Sequence, residues 1–560
     1  MTAVLECDLL VAGSGAAGLA AAVTAAHRGA RVIVAEKDNV FGGTSAWSGG
    51  WIFAPCNPLA REAGIVEDVE APRAYLRGVL GAHFDAMRVE AFLEAAPRMV
   101  AFFHEETALR FESGNTIPDI YSGVAGAGTG GRSIIAAPYD ARELGALVHR
   151  LRKPLSETSF LGLTVQAGPD LRAFMNVTRS ARALGHVAWR VGRHLADLAL
   201  HRRAMQLRNG NALVARLLRS AADSGVDLRA SCAVVRLVQD AGGVRGAVLA
   251  TPQGAIEVTA RCGVVLAAGG FPHDRVRRAA LFPAPEAHVT LAVPSATGDG
   301  VRLGESAGGI VDTTLASPGA WCPVSHVPCH DGPTGRFPHI IERGKPGLIG
   351  VLANGRRFCN EGNGYHDYVA ALLAATPPGA EAVSWLVCTR EFQRRYGLGL
   401  SRPTPLPVAP FLRSGYLMQG RTVAELARAC GIDAAALERT VARFNEHARR
   451  GEDPEFGRGS SLYNRYQGDA RVQPNPCVAP LDPGPFYAVK VVPGSFGTFA
   501  GLRTDAHARV LDAQGAVIPG LYAAGADMAS VFGGYYPAGG INLGPAMTFG
   551  FVAGEHAAAR

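Results

Sequence analysis

The chain has no CxxC pair and no CxxCH stretch, although it carries ten cysteines in 560 residues. Scattered thiols without paired spacing exclude a disulfide framework and covalent haem, and they fit buried side chains in a reducing compartment. One cluster, Cys322, His326, Cys329 and His330 in CPVSHVPCH, invites a metal reading. Its spacing matches no zinc pattern and two prolines interrupt it, so no metal is expected. No apolar run reaches the roughly eighteen residues of a membrane span. Met1–Cys7 has neither a basic segment nor a cleavage site before the first strand, so a cytoplasmic address is expected. Charge of one sign is also scarce: Lys+Arg 55 against Asp+Glu 48 leaves a formal +7. That excess is too diffuse for nucleic acid and suits an anionic cofactor or substrate. No internal repeat is present.

What is there begins with apolar bulk. At 48% hydrophobic content, a chain of this length fills two or more lobes. Residues 7–36, CDLLVAGSGAAGLAAAVTAAHRGARVIVAE, read as a strand, a glycine turn, an alanine-rich helix and a second strand closed by Glu36. Gly13 permits the tight turn, Gly15 lets the backbone approach a pyrophosphate, and Gly18 lets helix and sheet pack closely. Ala16 and Ala17 open the helix at that phosphate, Glu36 takes ribose hydroxyls, and Lys37 follows it in the same site. The next stretch, FGGTSAWSGG, supplies Gly42, Gly43, Thr44, Ser45, Ser48, Gly49 and Gly50. Such small and hydroxylated residues can track a pyrophosphate toward an isoalloxazine, which a nicotinamide domain does not need, so the cofactor is read as FAD.

Farther on, Val234 starts a strand and is placed as a backbone contact to adenine. Three strands are predicted at about 234–239, 244–251 and 255–260, then a separate buried one in GVVLAAGGF (263–271), which sets Ala268 and Gly269 beside the nucleotide. VIPGLYAAGAD (517–527) gives another strand, with Gly525 and Asp527 at the ribityl or phosphate region. The predicted fold is α/β: a Rossmann-like, discontinuous FAD-binding domain with a parallel sheet, residues 1–280 and 480–560, and an inserted α+β cap domain, 281–479. In the cap, Thr422 with Glu425 forms a capping box and Asp433 caps a helix running to about Arg450. A largely helical insertion spans 135–210. Its Arg172, Arg179, Arg182, Arg190, Arg193, Arg202 and Arg203, mixed with Phe174, Val187, Trp189 and Leu195, read as a solvated helix face, with an anionic membrane surface as the alternative.

Two further motifs carry a resemblance. The tail reads YPAGGINLGPAMTFG from Tyr536, and the cap reads RRFCNEGNGYHD over 356–367. With the two-part FAD lobe, these make the chain resemble the fumarate reductase/succinate dehydrogenase flavoprotein superfamily over essentially its whole length. The resemblance is closest to the 3-ketosteroid Δ1-dehydrogenase branch. Fumarate reductases place a proton-donating arginine five residues after the asparagine of RF-x-NE; here that position, counted from Asn360, is Tyr365, as in the steroid enzymes. The histidine that attaches FAD in succinate dehydrogenases aligns with Gly43, which implies non-covalent FAD.

The branch also implies roles. Tyr536 and Gly540 match the tyrosine and glycine that bind a substrate ketone, where a phenol and a backbone N–H stabilise an enolate. Tyr365 is then the base for the α-proton, helped toward a phenolate by its surroundings and by Tyr121 in PDIYSGVAGAGTGGRS, while the β-hydride passes to flavin N5. Gly544 opens the last helix, with Asn542 and Leu543 at the flavin. The tail departs from the branch pattern YPGPGATIG at Ala538, Gly539, Ile541 and Asn542, and Asn542 adds an amide near the flavin or the ketone. The expected reaction is FAD-dependent desaturation of a cyclic ketone, a 3-ketosteroid first and cyclohexanone or 4-oxocyclohexanecarboxylate close behind, with a quinone or electron carrier as acceptor. An enoate reductase running the opposite way, and a flavin-loaded binding or electron-transfer protein, are the alternatives.

Overall fold

The computed structural model describes residues 3–328 and 334–559, so Cys329 and His330 of the thiol and imidazole cluster lie outside them. Leu9, Leu10 and Val11, in the strand Ala3–Ala12, are fully buried, as a strand covered on both faces must be. This strand sits between Val32–Ala35 and Gly254–Leu266 in parallel register. Val517–Ala523 extends the parallel sheet on one side and Asp227–Arg229 on the other, with Arg509–Leu511 as an antiparallel edge. Ala233–Asp240 and Gly243–Thr251 add an antiparallel meander. The two predicted strands at 255–260 and 263–271 are one strand, Gly254–Leu266, whose register slips opposite Cys7 and Leu9 and so absorbs the break.

The alanine-rich helix Ala16–His27 lies against the last helix, Leu543–Ala558. Their approach explains the small residues on both: a Cβ on Gly550 would stand 2.3 Å from the Ala17 carbonyl oxygen, and one on Gly554 would stand 2.6 Å from that of Ala21. The second sheet belongs to the cap and runs Gly335–Pro338, Gly319–Val327, Phe486–Thr498, Ser384–Thr389, Leu348–Val351. Its middle strand, Phe486–Thr498, comes after residue 479, in the stretch expected to have returned to the FAD lobe. Local pattern marks that segment as a strand but cannot name a partner some 160 residues away. Thr422 and Asp433 cap the helices Val423–Cys430 and Ala434–Ala448 as expected. The insertion carries helices Pro169–Met175 and Ala181–His201. Among the described residues, no helix is long and apolar enough to cross a membrane, and no group of three or more potential ligands could hold a metal.

Candidate active site

The glycine turn is built for a close backbone approach. Gly13 has φ +106°, and a Cβ there would stand 2.3 Å from the Ala267 carbonyl oxygen. Gly18 abuts the turn itself, its missing Cβ being 2.0 Å from the Gly13 oxygen. Gly15 instead faces open space, with only the Ser45 hydroxyl within reach at 3.4 Å. The Ser45 hydroxyl accepts from the Ala16 N–H at 3.0 Å, and Ala17 packs against Gly525. Glu36 is buried at the end of the second strand. It accepts from the Ser14 hydroxyl at 2.5 Å and from the Asp38 N–H, and burial raises its pKa. A buried carboxylate aimed back at the turn, beside an open glycine at a helix N-terminus, fits the adenosine half of FAD.

Around this cradle, Gly42 donates to the Ser14 hydroxyl and Thr44 accepts from the Val293 N–H at 3.2 Å. Gly43 begins the short 3-10 turn Gly43–Trp47, Ser48 accepts from Gly50, and Gly49 makes only loose contact. A Cβ on Gly50 would strike the Asn209 backbone. Cys232 donates to the Glu36 carbonyl at 2.7 Å, and Val234 follows two residues on in the strand Ala233–Asp240. Asp527 is fully buried. It accepts from the Ala268 and Gly270 N–H groups at 2.5 and 2.9 Å, and burial pushes its pKa up to about 6. Gly269 lies between those donors. Lys37 is tied elsewhere: its ammonium bonds Thr297 at 2.8 Å and pairs with Asp299 at 2.7 Å, pinning the start of the cap.

The cap motif divides into an anchor and a working end. Arg357 bonds both Glu361, at 2.9 and 2.7 Å, and Asp453, at 2.7 and 2.8 Å, and Arg458 reaches Glu361 at 3.2 Å. Burial alone would raise Glu361, but Arg357 and then Arg458 outweigh it and hold the carboxyl below its ordinary range. Four residues on, Tyr365 opens the helix Tyr365–Ala375. Its ring meets Phe496 edge-on at 5.5 Å and Tyr536 edge-on at 4.9 Å. The two tyrosines singled out in the sequence are therefore neighbours.

Tyr536 stands on a loop whose carbonyls are tied down: Tyr75 and Ile120 both donate to Pro537, at 2.6 and 2.9 Å, and Ser133 donates to Gly539 at 2.8 Å. Tyr535 turns toward His83 instead. Asn542, one of the departures from the branch pattern, donates its side-chain amide to the Tyr536 hydroxyl oxygen at 3.1 Å. Gly540 has φ +97°, and its missing Cβ is 2.6 Å from the Ile52 nitrogen; the crowding comes from the strand Trp51–Phe53, so fold as well as ligand demands glycine. The Gly540 carbonyl accepts from Phe53, while its N–H finds no acceptor among the described residues. The last helix begins at Leu543, one residue before the expected Gly544, and Asn542 just ahead of it makes no side-chain capping bond.

Burial raises the pKa of both phenols. The groups acting on Tyr365, namely Tyr536, Tyr463 and Cys322, raise it further, so the protein groups around it do not supply the expected help toward a phenolate. Tyr121 gives its hydroxyl proton to Asp367 at 2.7 Å, and burial pushes Asp367 up to about 6. Sequence reading missed three of these neighbours: Asp367, Tyr463 and His366. His366 accepts the Trp321 N–H on Nδ1, which leaves its proton on Nε2; burial pushes its pKa down to about 3, and its ring lies 5.9 Å from that of Tyr536. The triplet Tyr365-His366-Asp367 was itself a signal, since polar groups at the start of a helix otherwise rich in alanine and leucine need partners.

A glycine-built dinucleotide cradle facing a cap that buries a tyrosine pair defines an FAD-binding oxidoreductase. The chain belongs to the FAD binding domain family, which it matches over residues 8–543. It is 41% identical, over 99% of its length and 94% of the relative's, to the 4-oxocyclohex-2-ene-1-carboxylate 5-dehydrogenase of Sinomonas cyclohexanicum. It is 35% identical to the 3-oxosteroid 1-dehydrogenase of Mycobacterium tuberculosis, with 99% of each chain covered. Among solved structures, the 3-ketosteroid Δ1-dehydrogenase of Sterolibacterium denitrificans in complex with 1,4-androstadiene-3,17-dione superposes with a TM-score of 0.91 at 34% identity, covering 99% of both chains.

Proposed function

We propose that this protein desaturates a cyclic ketone next to its carbonyl, and that the ring is a small 4-oxocyclohexane- or 4-oxocyclohexene-carboxylate. The observation that supports the reaction is the edge-on meeting of the Tyr365 and Tyr536 rings, with Gly540, whose N–H has no acceptor among the described residues, four positions after Tyr536. Tyr536 and Gly540 hold the ketone oxygen, because developing enolate charge is stabilised by two fixed donors. Asn542 already fills an acceptor position on the Tyr536 oxygen, so the phenol is free to direct its own proton at the ketone. Tyr365 takes the α-proton, and bound FAD supplies the acceptor for the β-hydride. FAD is held without a covalent bond, since Gly43 offers no nucleophile where the superfamily's attaching histidine aligns. A quinone or electron carrier removes the electrons, and the cytoplasm suits ten cysteines scattered without CxxC spacing.

Two observations support the small ring. One is the 41% identity to the cyclohexene-carboxylate enzyme. The other is Arg343, a buried guanidinium bonded to the carbonyls of His339, Glu361 and Asn363, without a carboxylate partner among the described residues. Its charge acts on Tyr463 and Asp367, beside the tyrosine pair. A 3-ketosteroid is the second reading, favoured by the superposition on the Sterolibacterium enzyme. Anaerobic titration with 4-oxocyclohexanecarboxylate, cyclohexanone and androstenedione, following the flavin band, tests both. Fastest bleaching by the carboxylate is expected, and fastest bleaching by androstenedione turns the assignment to steroids. If no saturated ketone bleaches the flavin while fumarate reoxidises reduced enzyme, desaturation is wrong.

A further inference from the structure

Three histidines and three arginines line one cleft where the helix Arg275–Leu281 meets the cap sheet, and no carboxylate joins them among the described residues. The cleft has a volume of about 290 Å³ and is walled by the strands Val289–Thr290 and Gly335–Pro338. Arg275 and Arg278 come from the helix, Arg336 from the second of these strands, and His273, His288 and His326 from the segments between and beside them. His326 belongs to the stretch CPVSHVPCH, so its imidazole goes to this cleft. The cleft shares no residue with the nucleotide cradle or the tyrosine pair.

The arginines of the cleft lack counter-charges. On the same helix, Arg277 pairs with Asp274 and Glu305. Arg275, Arg278 and Arg336 form no ion pair among the described residues. Arg278 donates to the Pro272 carbonyl at 3.4 Å and Arg336 to those of Thr290 and Ala292, contacts that hold the guanidinium groups without neutralising them. Polar atoms are also left over. The buried His288 uses Nε2 on the Ser495 hydroxyl at 3.0 Å, while its Nδ1, like the Nε of Arg278, is enclosed without a partner. His273 gives its Nε2 proton to the Ala292 carbonyl at 3.1 Å. Burial first, and then cations, depress all three imidazoles: Arg336 and Arg278 act on His273, Arg278 on His288 and Lys490 on His326. Three guanidinium charges repel a metal ion, and no group of described residues could hold one. We propose that this cleft binds a doubly charged tetrahedral oxyanion, either free phosphate or the phosphoryl end of a metabolite. Such an anion offers several acceptor oxygens to planar donors converging from helix and strand, and its charge offsets what the cleft leaves unpaired. A monocarboxylate brings one charge and two oxygens, too few for three arginines.

The test is isothermal titration calorimetry of the FAD-loaded enzyme with inorganic phosphate and with acetate at constant ionic strength. Phosphate is expected to bind once per chain, and acetate about tenfold more weakly or not at all. Arg275→Gln with Arg278→Gln is expected to weaken phosphate binding about tenfold or more, with flavin absorbance and ketone turnover unchanged. Should the double variant fail to fold, Arg275→Gln alone keeps the test decisive, because Arg275 is exposed and its loss unseats no packing. Phenyl phosphate separates the two sources: tighter binding than phosphate names a phosphorylated metabolite, and equal or weaker binding names the free ion, the site standing in both cases. No binding of phosphate by the wild type, acetate bound as tightly as phosphate, or an affinity that the arginine variants leave unaltered overturns the proposal.

Discussion

The two ends of the stretch RRFCNEGNGYHD are buried alike, and burial acts on them in opposite ways. At one end, Glu361 stays ionised because Arg357 and Arg458 surround it. At the other, Tyr365 and Asp367 have no cation bonded to them, and their pKa values rise. The first arrangement holds the cap together; the second makes ionisation of Tyr365 and Asp367 costlier than in water. Desolvation is therefore the common cost, and the number of opposing charges decides which way a buried group's pKa moves.

Four changes would break or sharpen this contrast. Removing the anchor charge with Glu361→Gln leaves two buried guanidinium groups short of a partner and should cost about 3–5 kcal/mol of stability, measured by urea unfolding. Tyr536→Phe removes the proposed donor to the ketone oxygen and should lower the rate of ketone-driven flavin reduction about 10²–10³-fold with unfolding unchanged, read by anaerobic stopped flow. Asp367→Asn addresses pH. Because the folded pKa of Asp367 is raised to about 6, its contribution to stability is present below about 4 and is lost as pH rises through 6. The asparagine variant should lack that decline and gain on the order of 2–3 kcal/mol over wild type between acid and neutral pH. Asn542→Leu leaves the Tyr536 oxygen without its amide donor and should slow reduction about tenfold or less, with the larger change in kcat.

The glycine turn was the most legible part of the chain, because turn chemistry is local: Gly13 and Gly18 stand where a side chain would strike backbone, and Gly15 faces open space. The tyrosine pair was legible only through motif register, since Tyr365 and Tyr536 are 171 positions apart and meet through the cap. Three things were not. Asp367 as the partner of Tyr121 depends on a contact between lobes. The side chain of Lys37, next to Glu36 in sequence, pairs with Asp299 of the cap, a contact that local pattern does not announce. The arginine-rich helix misled because composition counts charges without saying which side they take, and Arg190 went inward to Asp170.

The long strand Phe486–Thr498 limits how this enzyme can be taken apart. A fragment cut at residue 479 would retain Gly319–Val327 and Ser384–Thr389 but lose the strand that separates them, leaving two bare hydrogen-bonding edges ready to pair with other molecules. The cap is thus not a detachable lid: whoever wishes to study it alone must carry the chain onward to about 498, within twenty residues of the strand that floors the cofactor site.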